Sequence, residues 1–377
     1  MYPKYMPILK AKKGEFEAID NLQANPQVME SILPVFEIPI LTKKQRESKK
    51  YINIRNPVEF FINNNTTSLS KVMRGLPMGI DISRWAPNSN IESGEHILSH
   101  IISSLEKNNS QVIPVIGYDR WEDDEYSTTL KIISQRQNNF IIRLNSFAFE
   151  DMIEEEPFFD TFNDIFSSLD IIPEHCSVIL DFEDITKSSI VDLNEKVQRA
   201  ITTLQPYNFR FLSIAGCSIS GDINGMVPKR ESQGIVVRKE VKVWKAFKKF
   251  HPRLKLVFGD YGIVSPSVGD EIIAPNANGK IRYTIDDSIF VVRGYSRAIG
   301  KKGAQMQDLS KKLISSPYYK APKFSWGDEM IDKCAKEQFV GNTTNWVSID
   351  TNHHATHVFA EIREFEYTIQ HQREFQH

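Results

Sequence analysis

Glu37 stands inside Pro34-Val-Phe-Glu-Ile-Pro39, and Arg143 stands inside Phe140-Ile-Ile-Arg-Leu144, each a charge with apolar neighbours on both sides. Leaving such a charge bare in a core costs several kcal/mol, so each must be paired or face a polar cavity. Other apolar runs also end on polar residues: Lys10, Asp81, Asp119, Asp181 with Glu183, Ser213 or Ser218, and Asp260 with Tyr261. Crowded carboxylates raise one another's pKa, which lets a general acid and a general base coexist near neutral pH. The same oxygens suit Mg²⁺ or Mn²⁺. Glu37, Asp181 and Asp260 are therefore candidate acid/base groups or metal ligands, while Lys10 and Arg143 are suited to grip a phosphate or carboxylate. The competing reading is structural, with Arg143 paired internally to Glu37 or Asp181 as a plug.

Asn352-His353-His354-Ala-Thr-His357 resembles a metal site but is not HExxH and lacks an acidic residue at the general-base position. If the run is a strand, His353 and His354 face opposite ways, and His353 shares a face with His357. Zinc ligation, a hydrogen-bonding pocket wall and plain structural histidine are all open readings.

The elements that must position these groups alternate along the chain. Short β-branched or aromatic runs at 5–9, 33–38, 78–82, 111–116, 140–144, 177–182, 210–214 and 254–258 are separated by segments of helical period. One such segment puts Ile97, Leu98, Ile101, Ile102 and Leu105 on one face, and another does so with Val191, Leu193, Val197, Ala200, Ile201 and Leu204. About eight strands alternating with helices predict a closed, TIM-like β/α barrel. An open doubly wound sheet is the rival, disfavoured because no GxGxxG or GxxxxGK[ST] turn follows any strand. The polar residues would then gather where barrel chemistry gathers, at the carboxy-terminal strand ends. After 258 the expectation is an insertion over 259–295 with a strand at 288–292, a closing helix at 305–313, and an extension over 321–377 that folds back on a barrel spanning 1–320.

Composition sets the limits. The 377 residues include 46 Lys+Arg and 48 Asp+Glu, for a formal net charge of −2, which argues against duplex nucleic acid as a default partner. Three scattered cysteines, Cys176, Cys217 and Cys334, make neither a disulfide framework nor a zinc knuckle. No stretch reaches the roughly 18 apolar residues of a membrane span, and the amino terminus lacks a signal-peptide pattern. A cytoplasmic protein is the expectation.

The motifs also carry a likeness. Pro7-Ile-Leu-Lys-Ala-Lys-Lys-Gly-Glu15, Pro34-Val-Phe-Glu37, Arg238-Lys-Glu240 before Trp244, Gly259-Asp-Tyr261, Ile281-Arg-Tyr-Thr284, Val292-Arg-Gly294, Gly341-Asn-Thr-Thr-Asn-Trp346 and Asn352-His-His354 occur in that order. Together they resemble the beta protein family, named for a T-even bacteriophage protein and widespread in bacteria. The resemblance runs from Pro7 to about Val358 and implies a role in phage and host conflict, with no particular reaction attached. It adds Arg238, Glu240, Arg282, Tyr283, Arg293, Asn352, His353 and His354 to the candidates, His354 as a catalytic group and the others, with Asp81 and Tyr261, as ligand-binding ones. Several arginines converging on one pocket would favour a nucleotide, a sugar phosphate or another polyanion. The expected function is thus a hydrolase acting on a phosphorylated ligand. The alternative is a non-catalytic sensor or interaction barrel working with a partner protein.

Overall fold

The computed structural model describes residues 2–269, 277–296 and 303–374. Residues 270–276 of the expected insertion and the last residues of the chain lie outside that set. The chain begins with β1 (Tyr5–Lys10), α1 (Lys13–Leu22), α2 (Pro26–Met29), β2 (Val35–Glu37), α3 (Lys43–Arg46), α4 (Pro57–Met73) and β3 (Pro77–Asp81). It continues with α5 (Ile97–Lys107), β4 (Gln111–Gly117), α6 (Asp124–Ser134), β5 (Ile141–Leu144), α7 (Ser146–Asp151), α8 (Glu156–Leu169), β6 (Ser177–Asp184) and α9 (Ile190–Leu204). The remainder is β7 (Leu212–Cys217), α10 (Ile223–Met226), β8 (Gln233–Val237), α11 (Lys239–Phe250), β9 (Leu256–Asp260), β10 (Asn278–Ile285), β11 (Ser288–Ser296), α12 (Gln305–Ile314), α13 (Trp326–Ala335) and α14 (Thr343–Glu374).

Eight parallel strands close in the order β1-β2-β3-β4-β5-β6-β7-β9, with β1 pairing both β2 and β9. The closure excludes the doubly wound sheet. Each of the eight strand runs expected from sequence supplies one barrel strand. The helices between them form for local reasons: Ser189 caps α9 by accepting from Asp192 N, Asp123 caps α6 by accepting from Tyr126 N, and Pro57 opens α4. The apolar stripes of α5 and α9 are buried as their spacing required. Met6, Ile8, Val35, Ile113, Val115, Ile141, Ile179 and Val257 fill the barrel interior, and a larger apolar layer lies between the barrel wall and its helices. All three cysteines are buried and free.

The carboxy-terminal third departs from the sequence reading. β8, β10 and β11 form a separate antiparallel sheet in the order β10-β11-β8. One face of that sheet joins Ile289 and Val291 to the barrel interior, and the other packs Ile281, Tyr283 and Val292 on Met306, Leu309 and Leu313 of α12. The helix expected to close the barrel therefore supports the insert instead. The closing position belongs to α14, which lies against α1 and packs Phe365 at a tilt on Trp244 of α11 with ring centroids 5.6 Å apart. A Cβ on Gly14 would lie 2.8 Å from Val347 Cγ1, so the close α1–α14 approach needs glycine there. The histidine run is helical rather than extended, within 32 residues that contain no Gly or Pro. Among the described residues, no helix is long and apolar enough to cross a membrane.

Candidate functional site

Arg143, on β5 and facing the barrel interior, is the hub of a buried network at the carboxy-terminal strand ends. Its Nε donates to Asp181 Oδ2 at 2.8 Å, and Nη1 donates to Glu37 Oε1 at 2.9 Å and Asp81 Oδ2 at 2.6 Å. Nη2 donates to the Tyr261 hydroxyl at 2.6 Å and meets Asp181 Oδ2 at 2.6 Å, while that hydroxyl donates to Asp181 at 2.7 Å. Its five N–H groups thus reach four acceptor atoms, with Asp181 Oδ2 shared by Nε and Nη2. These bonds are the internal pairing of Arg143 with Glu37 and Asp181 that the sequence offered as its structural reading, with Asp81 and Tyr261 added to it.

A second guanidinium joins from the β4 loop, where Arg120 Nη1 donates to Asp81 Oδ1 at 2.8 Å. It passes directly over Gly117, where a Cβ would sit 2.0 Å from Arg120 Nη2. Burial alone would raise Asp81, but Arg120 and Arg143 outweigh it and hold the carboxyl below its ordinary range. Arg120 went unrecognised in the sequence because it lies one loop beyond its strand.

Glu183 is what this network leaves over. The β6–β7 register shifts between Asp181 and Asp184, and Glu183 sits in that irregularity with φ of +52°. Such strain at a non-glycine residue persists only where surrounding bonds fix it, and bulges often re-aim a side chain beside a site. Here Asp181 Oδ1 accepts the Glu183 amide at 2.9 Å, so the residue that anchors Arg143 also sets the turn. The Glu183 side chain is half-buried and makes no hydrogen bond to the described residues. Burial, with the neighbouring Asp181 carboxylate, raises its carboxyl above the usual range against the pull of Arg143. Ser83, whose amide is held by Asp81 Oδ1 at 2.9 Å, donates its hydroxyl to Glu37 Oε1 at 3.1 Å.

The loop after β9 lies across this mouth. Lys10 Nζ donates to Val268 O, Arg84 Nη1 to Pro266 O at 3.4 Å, and Arg282 Nη1 to Ile263 O at 2.6 Å. Lys10 is thus at the mouth as expected, together with Glu37, Asp81, Asp181 and Tyr261.

The remaining candidates lie elsewhere. Asp260 points outward from β9, two residues on from the outward Phe258, into a seam under α14. Its Oδ2 accepts from His354 Nε2 at 2.8 Å and its Oδ1 from Tyr5 Oη at 2.5 Å and Gly262 N at 2.9 Å. His354 Nδ1 meets Thr284 Oγ1 at 2.7 Å. Burial pushes the His354 imidazole down, so the neutral ring donates to Asp260 and accepts from Thr284. This carboxylate–imidazole–hydroxyl chain has the connectivity of an acyl-transfer triad. It is sealed, however: Thr284 is 0% exposed and Asp260 and His354 are each 1% exposed. Asp260 and His354 therefore do not share the pocket with Glu37 and Asp181.

Arg238 donates to Glu361 at 2.7 Å and to Asp286 O at 2.8 Å in the same seam, and Glu240 accepts from the Ser218 hydroxyl. His353 meets Asp328 Oδ2 at 2.8 Å, stacks on Tyr283 and touches Thr284 O at 2.9 Å, while Tyr283 donates to Asp328 Oδ1 at 2.6 Å. Asn352 ties α13 to α1 by accepting from Gly327 N and donating to Ala18 O. These groups fasten α13, α14 and the hairpin to one another and to the barrel. Arg282 pairs with Asp350 at 3.0 Å and Arg293 donates to Val227 O and Pro228 O, both where the hairpin meets the barrel. For zinc, magnesium or manganese, no group of three or more His, Cys, Asp or Glu is placed to hold an ion among the described residues.

Comparison with curated proteins finds no match. The description "Beta protein" belongs to a family model that matches residues 5–360, nearly the whole chain, and the protein is therefore a member of the beta protein family.

Proposed function

We propose that the chain is a cytoplasmic hydrolase of phage and host conflict that binds a phosphorylated ligand, such as a nucleotide or sugar phosphate, at the barrel mouth. The observation that carries this reading is the unpartnered, half-buried Glu183 held over a network built from the ends of β2, β3, β5 and β6. Buried ion pairs are poor devices for stability, since apolar replacements of the same volume often do as well or better. A barrel interior filled with three carboxylates and two guanidiniums is therefore better explained by what it positions. Glu183, with its raised carboxyl, is the proton donor to a leaving-group oxygen. Glu37 keeps Oε1 on Arg143 and Ser83, leaving Oε2 to take a proton from the attacking water. Lys280, Arg282 and Arg293 on the barrel-facing side of the hairpin supply positive charge for an anionic substrate. The family's phage connection supports the biological setting.

The saturation of Arg143 favours a second reading, a non-catalytic barrel with a plugged interior that works through a partner protein. One experiment separates them. Nucleotides, nucleotide sugars and sugar phosphates are incubated with the protein, with and without Mg²⁺ or Mn²⁺, and products are followed by chromatography. The hydrolase reading expects turnover of one class, reduced about 100-fold or more in Glu183→Gln with an unchanged Tm. Absence of turnover across the panel, with no ligand-induced rise in Tm, supports the interaction barrel.

A further inference from the structure

The inserted hairpin sorts its residues between two faces. Ile281, Tyr283 and Ile285 pack toward α12 and α13, so Lys280, Arg282 and Thr284 of β10 face the other way, where Arg282 reaches Ile263 O and Thr284 reaches His354. On β11, Ile289 and Val291 join the barrel interior and Arg293 follows them on that face, because a Cβ on the intervening side, at Gly294, would meet Gln305 of α12 at 2.2 Å. Lys280 and Arg293 are direct register partners across the β10–β11 ladder. Like charges set opposite each other in a sheet are destabilising.

Asp350 and Asp222 act on Lys280 through space, and Asp222 also on Arg293, but among the described residues neither carboxylate bonds to either cation. Arg282, two residues along, has Asp350 as its bonded counter-ion, whereas the hydrogen bonds of Arg293 to the described residues go to the neutral carbonyls of Val227 and Pro228. Arg293 is 4% exposed and its Nε is buried without a partner among the described residues. Lys280, half-buried, makes no hydrogen bond or ion pair with the described residues. Burial, with Arg282 beside it, lowers the Lys280 ammonium to about 8. Asp222, whose charge acts on both cations, spends its hydrogen bonds on Asn224, both carboxylate oxygens meeting Asn224 Nδ2 at 3.1 and 2.9 Å.

We propose that Lys280 and Arg293 form a subsite for a phosphate-sized oxyanion where the hairpin meets the loop after β7. A tetrahedral anion would cancel the cross-strand repulsion, give the buried guanidinium edge its missing acceptor and be reached from solvent past the lysine. The subsite deepens the hydrolase reading by placing the substrate's phosphate, and rests on that reading only for what the phosphate belongs to.

The test is a titration with inorganic phosphate, with acetate and chloride at matched ionic strength as controls, read by thermal shift and by acylation of Lys280 followed by mass spectrometry. Phosphate is expected to raise Tm and to slow Lys280 acylation, acetate and chloride to do neither. Lys280→Gln should weaken the phosphate response at least tenfold, and Lys280→Arg should retain it. Because Lys280 is partly exposed, these variants keep the fold even where Arg293→Gln does not. A wild-type protein indifferent to phosphate, or a Lys280→Gln variant that responds like wild type, overturns the proposal. A Glu183→Gln variant with its phosphate response intact and no change in turnover would instead remove the hydrolase reading and leave the subsite standing.

Discussion

Two buried polar networks lie on opposite faces of the same barrel wall. The mouth network uses inward residues, Glu37, Asp81, Arg143 and Asp181, whereas the seam network uses outward ones, Tyr5 and Asp260, with His354, Thr284 and Arg238 brought against them. Both are dense in charge. They differ in what remains after the bonds are made: the mouth leaves a strained, half-buried Glu183, while the seam encloses its carboxylate–imidazole–hydroxyl chain completely. Triad connectivity alone therefore does not define an active site, since a nucleophile without access to substrate does no chemistry. The seam's polar groups hold a late helix and an inserted hairpin to the barrel, and the mouth's hold one carboxyl in a poised state.

Breaking the two hubs separately sharpens this contrast. The largest effect is expected for Arg143→Met, which strands Glu37 and Asp181 without their bonded guanidinium, leaves Asp81 to Arg120 alone, and should cost about 3 to 5 kcal/mol in urea unfolding. A loss below about 1 kcal/mol would mean that solvent already screens the mouth. Next is His354→Ala, which orphans Asp260 Oδ2 and the Thr284 hydroxyl and should cost about 2 to 3 kcal/mol. Hydrogen exchange should then quicken in α14 and β10 but not in β3 to β6, and the phosphate response at Lys280 should persist. Loss of that response would mean that the seam, through Thr284 on the same strand, also sets the Lys280 subsite.

A smaller effect is expected at His357, one turn after His353 on α14. Both of its ring nitrogens are buried without partners among the described residues, and burial, with His353 and Arg238 nearby, pushes it down to about 2. The native state therefore binds no proton there, while the unfolded chain takes one up below about 6.5. This group's contribution is present above that pH and is lost as pH falls toward 2. His357→Phe should stabilise the protein by about 1 kcal/mol at pH 7 and flatten the acid limb of stability against pH by about one proton. An unchanged pH slope would show that the ring is hydrated in solution.

The barrel was legible because each wall strand is a short apolar run bounded by turn residues, and Glu37 and Arg143 stood out as charges inside such runs. The side of the wall was not legible where the run gave no alternation. Leu256-Val-Phe-Gly-Asp-Tyr261 is apolar up to its last polar pair, so nothing in it says that Asp260 turns out while Tyr261 turns in. Glu183 was visible at the end of β6, but a bulge changes which way a side chain points without changing the sequence pattern. The role of α14 was hidden by distance, since the whole insert separates β9 from the helix that completes its ring. Lys280 was masked by the turn-rich stretch before it, although Lys280-Ile-Arg-Tyr-Thr-Ile285 carries the alternation of a half-buried strand.

The poise of Glu183 is read most directly by an NMR titration of its side-chain carboxyl, assigned by its loss in Glu183→Gln, in the wild type and in Asp181→Asn. A carboxyl titrating clearly above its ordinary value, and falling toward that value when the Asp181 charge is removed, is the predicted result. A carboxyl that titrates at or below its ordinary value in the wild type would contradict the account, leaving the mouth, like the seam, a network that only holds the fold together.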